Sequence, residues 1–461
     1  MSGISCCVAL TCLVGLVLRA DAADDRHALK QGLTDLGDGS ATADVSADGR
    51  FIAFESRSAL SSADVNNVED IYVFDRVCDR ITLESRAFDG GAANGASKHP
   101  RLSADGRYLV FDSVATNINP APPQRGMIQV FLSDRLTGSI RLISRTPAGV
   151  AGNNSSESPD ISDDGRIVAF ESGATDLVDG VDRNGATTDV FVLDAVRRTI
   201  ARVSVTSDGV QPPAGTSGTP RVSGNGRFVA FMSQAPLTAA VDPNPKAREV
   251  DRTHHVFVRD LLTSTTHLVS GTSDGQTANE SSWAPAINAD GRFVAYTSLA
   301  TNVVSRDRNH SADIFLYDTW TSRTMLVSHN LAGASAGGTS DHPAISADGH
   351  LVAFVTDAGD LLCAGRRCPP ERLDDNLVRD VYLADMRAGT MHRVSGASGA
   401  EPWWDASFGP ALDAAGALVV FSSRHPLDAT DLSYDYDLVL RVIHGNPTAR
   451  SVIEDARRVV R

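Results

Sequence analysis

The sequence predicts an all-β chain, a seven-bladed β-propeller of four-stranded antiparallel blades, and three observations carry that prediction. A phrase built around a tight turn, SADGRFIAF at residues 46–54, returns as SADGRYLVF, SDDGRIVAF, SGNGRFVAF, NADGRFVAY, SADGHLVAF and DAAGALVVF. Each copy is followed by short runs of β-branched and aromatic residues bounded by Gly, Pro, Asn and Asp, the pattern of strands. No helical periodicity separates the copies, so about sixty residues of strand and turn repeat seven times, as in a propeller.

Within a repeat the elements follow in order. Strand A precedes the Asp-Gly turn, where glycine supplies the positive φ that a tight hairpin needs. The turn glycines Gly49, Gly106, Gly165, Gly226, Gly291, Gly349 and Gly416 are spaced by 57, 59, 61, 65, 58 and 67 residues. Each stands five residues before the aromatic of strand B (Phe54, Phe111, Phe170, Phe231, Tyr296, Phe354, Phe421). Strand C ends in Asp, as at residues 70–75 and 313–318, and a Ser closing strand D follows ten residues later in the first six copies, as at residues 140–144 and 324–328. The variation lies in the connection from B to C, which takes 21, 23, 24, 29, 22, 31 and 21 residues from the strand B aromatic to the end of strand C. In a propeller these connections and the D to A linkers share one face, so the variable loops gather there.

The ends of the chain set the expected boundaries. Residues 6–18 are unbroken apolar and lead into Ala20-Asp21-Ala22, which reads as a secretory signal peptide over residues 1–22 and implies a periplasmic or secreted protein. Residues 23–38 form a lead-in, residues 39–453 the propeller and residues 454–461 a tail. Residues 23–27 do not look like a strand. The last repeat is therefore expected to complete its own blade, with strand C from Asp437 to Val442 and strand D at residues 448–452.

Composition excludes some partners. The chain has 461 residues and a formal charge of -15, so an acidic surface repels nucleic acid and anionic lipid. Beyond the signal no apolar run approaches the ~20 residues of a membrane span. A monomer is expected.

The repeated P-x-[IVL]-S-x-D-G-R-x-[VIL]-A-F, followed by D-[IV]-[FY]-[VL]-x-D, resembles the WD-like repeats of the TolB-like propellers, with good examples at residues 159–170 and 189–194. The resemblance covers residues 39–452. It implies an exported propeller of protein-interaction type.

Several residue sets are candidates for chemistry. An acidic pattern recurs in the B to C loops: Asp64, Asn66 and Asp70; Asp182, Asn184 and Asp189; Asp307, Asn309 and Asp313; Asp374, Asn376 and Asp380; and, in the seventh repeat, Asp431, Asp435 and Asp437. Oxygen ligands at this spacing suit Ca²⁺. Asx-turns that receive strand-end amides are the alternative. Cys363 and Cys368, close in sequence in an exported chain, are expected to form a disulfide and to leave Cys78 a thiol. Trp283, Trp403 and Trp404 fall in D to A linkers, on the ligand face, where they stack on a ligand or seal blade interfaces. The G-x-S-x-G at residues 333–337 lacks the strand-to-helix turn of a nucleophile elbow and reads as linker.

With no complete catalytic motif, the sequence points to an exported non-catalytic scaffold that binds an envelope protein or glycan on its loop face. The alternatives are a hydrolase or lyase acting on an extracellular polymer with carboxylates near the central channel, and a calcium-dependent glycan binder.

Overall fold

The computed structural model describes residues 27–28, 42–119, 126–239, 253–364, 378–395, 406–423 and 437–443. They form seven four-stranded antiparallel sheets, one per repeat, as expected. Blade 3 shows the pattern: strand A Ser156–Ile161, B Ile167–Ser172, C Asp189–Asp194 and D Thr199–Arg202. Strands A of neighbouring blades touch, so they line the centre. Seven apolar clusters fill the seven blade interfaces; in one, Ala53, Ile71 and Val73 of blade 1 meet Leu109, Phe111 and Phe131 of blade 2.

The repeated phrase is explained residue by residue. In blade 1 the Ser46 hydroxyl donates to Asp48 Oδ1 at 2.7 Å and accepts the Phe51 amide at 2.9 Å, which closes the turn. The following arginine forms a two-pronged pair with the Asp that ends strand C: Arg50 with Asp75, and likewise Arg107–Asp134, Arg166–Asp194, Arg227–Asp260 and Arg292–Asp318. That Asp also accepts amides of the C to D turn, such as Leu136 N at 3.1 Å on Asp134. The turn glycine has a second duty besides its positive φ. A Cβ at Gly106 or Gly165 would collide with the Phe51 or Tyr108 ring of the preceding blade.

The turns also tie blade to blade. The amides of Ala47, Ala104 and Asp163 donate to the carbonyls of Ala104, Asp163 and Gly224 at 2.9, 3.0 and 2.9 Å. Asn225 to Ala289, Ala289 to Ala347, Ala347 to Ala414 and Ala414 to Ala47 follow at 2.8, 3.1, 3.0 and 3.2 Å. The seventh bond returns to the first blade and closes the circle.

Two sequence expectations need correction. Strand D stops short of the closing serine, at Leu142 in blade 2 and Leu326 in blade 5. The reason is that the serine leaves the ladder and offers its hydroxyl: Val130 N donates to Ser144 Oγ at 3.0 Å, and Ile314 N to Ser328 Oγ at 3.0 Å. The ring closure also differs. Blade 7 takes its outer strand from the amino-terminal region, with His27 opposite Leu440 and Ala28 opposite Val439. Two residues with no strand signature can fill that slot because main-chain groups alone satisfy the edge of Asp437–Val442, a strand placed as expected. The expected strand at residues 448–452 lies outside the described residues, as do residues 1–22.

Deleting residues 1–30 is expected to bare the edge of strand C in blade 7, costing on the order of 1–2 kcal/mol of hydrogen bonding and inviting edge association. A lower melting temperature and a concentration-dependent dimer on size exclusion are the expected results. A truncated chain that melts unchanged and stays monomeric would contradict the pairing.

Candidate functional site: the central channel and the loop face

Strand A decides what the channel contains. In six blades its register shifts by a bulge, and the residue before a proline adopts positive φ: His99, Ser158, Thr219, Ala284, His342 and Gly409. The residue after that proline, or after Ala43 in blade 1, lines the channel in every blade. It is Asp44, Arg101, Asp160 and Arg221 in blades 1 to 4, and Ala286, Ala344 and Ala411 in blades 5 to 7. The charged arc is internally paired. Arg101 lies 3.9 Å from Asp44 and 3.6 Å from Asp160, while the Leu102 and Val222 amides donate to Asp44 and Asp160 at 2.7 and 2.6 Å. Burial pushes Asp44 up to about 6, against the pull of Arg101, and lowers Arg221 to about 10. The alanine side leaves space, and the cavity measures about 310 Å³.

Toward the loop face the same half of the ring carries a second set of charges. Glu55, Asp112 and Glu171 follow the strand B aromatic in blades 1, 2 and 3, and each accepts the amide of the next blade's bulge residue: His99 N at 3.3 Å, Ser158 N at 2.9 Å and Thr219 N at 2.6 Å. Thr42 donates to Glu55. His99 Nδ1 lies 2.7 Å from Asp112 Oδ2. Burial opposes a charge on His99, but Asp112 and Glu55 outweigh it and raise its pKa. Burial likewise pushes Glu55 and Glu157 up, and Glu171 to about 7. A dense acidic mouth therefore surrounds one imidazole on one side of the channel. The sequence carried a trace of it, since only the first three repeats have an acid after the strand B aromatic; what hid it was that the acids converge across blades.

The sites expected from sequence fall elsewhere. In blade 1 the acidic loop makes Asx-turns, with Asn66 N on Asp64 Oδ1 at 3.3 Å and Val68 N on Asn66 Oδ1 at 3.0 Å. Tyr72 Oη donates to Asp64, and Asn66 Nδ2 and Ser85 Oγ donate to Asp70 at 2.7 and 2.5 Å. In blade 3 the Arg202 guanidinium reaches Asp182 at 2.8 Å and Asp189 at 3.2 Å, and Gln211 Nε2 donates to the same two carboxylates at 2.9 and 2.8 Å. Asp313 of blade 5 and Asp380 of blade 6 each accept a serine hydroxyl at 2.5 Å, from Ser328 and Ser395. Among the described residues, no group of three or more His, Cys, Asp or Glu is placed to hold a metal. Asp374, Asn376, Asp431 and Asp435 lie outside the described residues, and Asp437 begins the last strand C.

Trp283 lies in strand A of blade 5, Ser282–Ile287, rather than in the linker, because it continues the ladder opposite Thr297, and its Nε1 donates to Asp341 Oδ1 of blade 6 at 3.1 Å; Trp403 and Trp404 lie outside the described residues. Cys363 is buried and disulfide-bonded; Cys368, its expected partner, lies outside the described residues. Cys78 carries a thiol 3.9 Å from Arg50 Nη2. Ser335 of the G-x-S-x-G segment accepts the Arg308 amide at 3.1 Å in a D to A linker, as read from sequence.

The architecture defines a seven-bladed β-propeller with a channel charged on one side. No family model matches the chain, and no curated protein matches it. Solved structures do. The chain is similar to an oligogalacturonate lyase in complex with manganese, at 15% identity over 89% of each chain with a TM-score of 0.51. It is similar to oligogalacturonate lyase from Vibrio parahaemolyticus, at 12% identity over 88% of this chain and 89% of that one, with a TM-score of 0.52. A putative TolB from Agrobacterium tumefaciens also matches, at 14% identity over 79% of this chain and 94% of that one, with a TM-score of 0.39. The likeness to the two lyase structures is one of propeller fold. Among the described residues no helix is long and apolar enough to cross a membrane.

The pKa shifts predict a stability profile. Asp134 is held down at about 2, chiefly by the Arg107 hydrogen bonds, so its contribution is present above the unfolded value of ~3.9 and lost as pH falls toward 2. Asp44 and Glu171 are raised to about 6 and about 7, so the stability linked to their protonated forms is full below ~4 and lost as pH rises through those values. The melting temperature should peak near pH ~4–5 and decline toward pH 8, and Glu171→Gln should flatten the decline. A wild-type profile that climbs to pH 8 would contradict the assignment.

Proposed function

We propose that this propeller is a non-catalytic binding scaffold of the cell envelope, periplasmic or secreted and monomeric, that takes a basic segment of a partner protein at the loop-face mouth of its channel. One observation supports the reading above others: Glu55, Asp112, Glu157 and Glu171 crowd one side of the mouth, and burial raises three of them, Glu55, Glu157 and Glu171, toward the neutral form. A guanidinium or ammonium group placed there would relieve the repulsion and turn neutral acids into ion pairs. The rest of the channel is less demanding, because the Asp44, Arg101, Asp160 and Arg221 arc satisfies itself and the opposite wall is alanine. The apron of variable loops around the mouth gives a partner further surface to grip.

Fluorescence anisotropy with short Arg- and Lys-rich peptides, against acidic peptides and neutral oligosaccharides, tests this. Basic peptides are expected to bind with an affinity that falls with salt and to lose about tenfold or more in Glu171→Gln or Asp112→Asn. Equal affinity for acidic peptides, or no loss in either variant, would sink the reading.

A second reading, an enzyme acting on an extracellular polymer, draws support from the His99–Asp112 pair beside protonatable Glu171, an acid and base within one mouth. Release of new chain ends from uronate or neutral polysaccharides, lost in His99→Ala, would replace the scaffold reading with this one.

A further inference from the structure

The acidic loops of blades 1, 3 and 5 form a set of internal controls. All three have the spacing Asp-x-Asn, and the residue after the Asn takes positive φ in each: Asn67 at 56°, Gly185 at 67° and His310 at 55°. All three end on a strand C aspartate that accepts the closing serine, Ser85, Ser204 or Ser328. The Asn side chain stitches the loop to the next linker, Asn66 Nδ2 to Ala93 O and Asn309 Nδ2 to Ala336 O, both at 2.7 Å. The backbone frame is thus the same in blades 1 and 5, while blade 3 keeps the Asp-x-Asn turn with one residue more before its strand C aspartate.

What fills the frame differs at three positions. The third residue of strand C is Tyr72, Phe191 and Phe315; the residue paired with it on strand D is Leu83, Arg202 and Leu326. The linker residue seven beyond the serine is Ala92, Gln211 and Ser335. Blade 1 uses the tyrosine hydroxyl to satisfy Asp64, and blade 3 places a guanidinium and an amide between Asp182 and Asp189. Blade 5 has neither. Phe315 and Leu326 bring no donor, and the Ser335 hydroxyl is engaged with the Arg308 amide.

The consequence is visible at the carboxylates. Asp307 is 4% exposed and Asp313 0%, and among the described residues the only donors beside Asp307 and Asp313 Oδ2 are the Asn309 amide and side chain, which make no full hydrogen bond to them. The two side chains lie within reach of each other. Two buried carboxyl groups facing each other with no charged donor between them are costly unless a positive charge stands there, as Arg202 does in blade 3.

We infer that the B to C loop of blade 5 binds one hard divalent cation, Ca²⁺ foremost, between Asp307 and Asp313. The Asp307 carboxylate and Asp313 Oδ2 make a partial shell that main-chain carbonyls and water would complete, as oxygen-seeking cations accept. The site is structural: it ties the loop to strand C at the place where blade 3 uses an internal cation. It stands independently of the mouth and of whichever ligand the mouth takes.

The test exchanges one blade's solution for another's. Leu326→Arg copies blade 3, and Phe315→Tyr copies blade 1. For wild-type protein stripped with EDTA, Ca²⁺ is expected to raise the melting temperature by about 1–3 °C. Leu326→Arg and Phe315→Tyr should each melt higher than wild type in EDTA and should each titrate with one Ca²⁺ fewer per chain by calorimetry. Asp307→Asn should also lose one Ca²⁺. Because two of the variants are designed to gain stability, failure to fold does not mask the result. A wild type that responds to pH but not to Ca²⁺ would mean that the two acids share a proton, and would overturn the inference. Unchanged stoichiometry in both donor-restoring variants would do the same.

Discussion

The circle of seven main-chain hydrogen bonds between Asp-Gly turns is the constraint on which the rest depends. Each bond requires the turn of one blade to approach the turn of the next closely, which favours small residues at Ala47, Ala104, Gly224, Ala289, Ala347 and Ala414. The same approach seats the first residue of strand B on the neighbouring turn glycine, as Phe51 sits on Gly106. Because the last bond runs from Ala414 back to Ala47, blade number is set by closure of the whole circle rather than by any single repeat. In blades 1 to 5 the arginine and strand C aspartate pairs then hold the turn upright within its blade.

Once the backbone frame is fixed, side chains are free to diverge, and the chain uses that freedom twice. At the centre, one position reads Asp, Arg, Asp, Arg, Ala, Ala, Ala around the ring, so charge gathers on one half and space on the other. In the acidic loops, one frame holds a tyrosine hydroxyl, an arginine or neither. Repeats that look alike in sequence therefore differ in what they can bind, and the difference comes from residues one strand away from the motif.

The limits of the sequence reading follow the same line. Strands A, B and C of the repeats fall where spacing placed them, because local pattern and turn chemistry determine them. The pattern extends strand D to the closing serine, but its hydroxyl replaces a ladder bond, an interaction that residue type does not distinguish from strand membership. Spacing places the outer strand of blade 7 downstream of Val442, whereas His27–Ala28 occupies the edge. Pairing of two residues across the whole chain leaves no local periodicity to detect.

By itself, then, the sequence determined strands A, B and C of each repeat and the loops that vary, since these rest on contacts within about sixty residues of chain, and the count of repeats gave the count of blades. Tertiary structure alone decided how the circle closes, which acids meet at the mouth and which loop carries unmatched carboxylates. Glu55, His99 and Asp112, and Arg202 with Asp182, meet through packing of strands and blades. Their energies depend on burial and on distances across that packing, and neither quantity is written in the order of the residues.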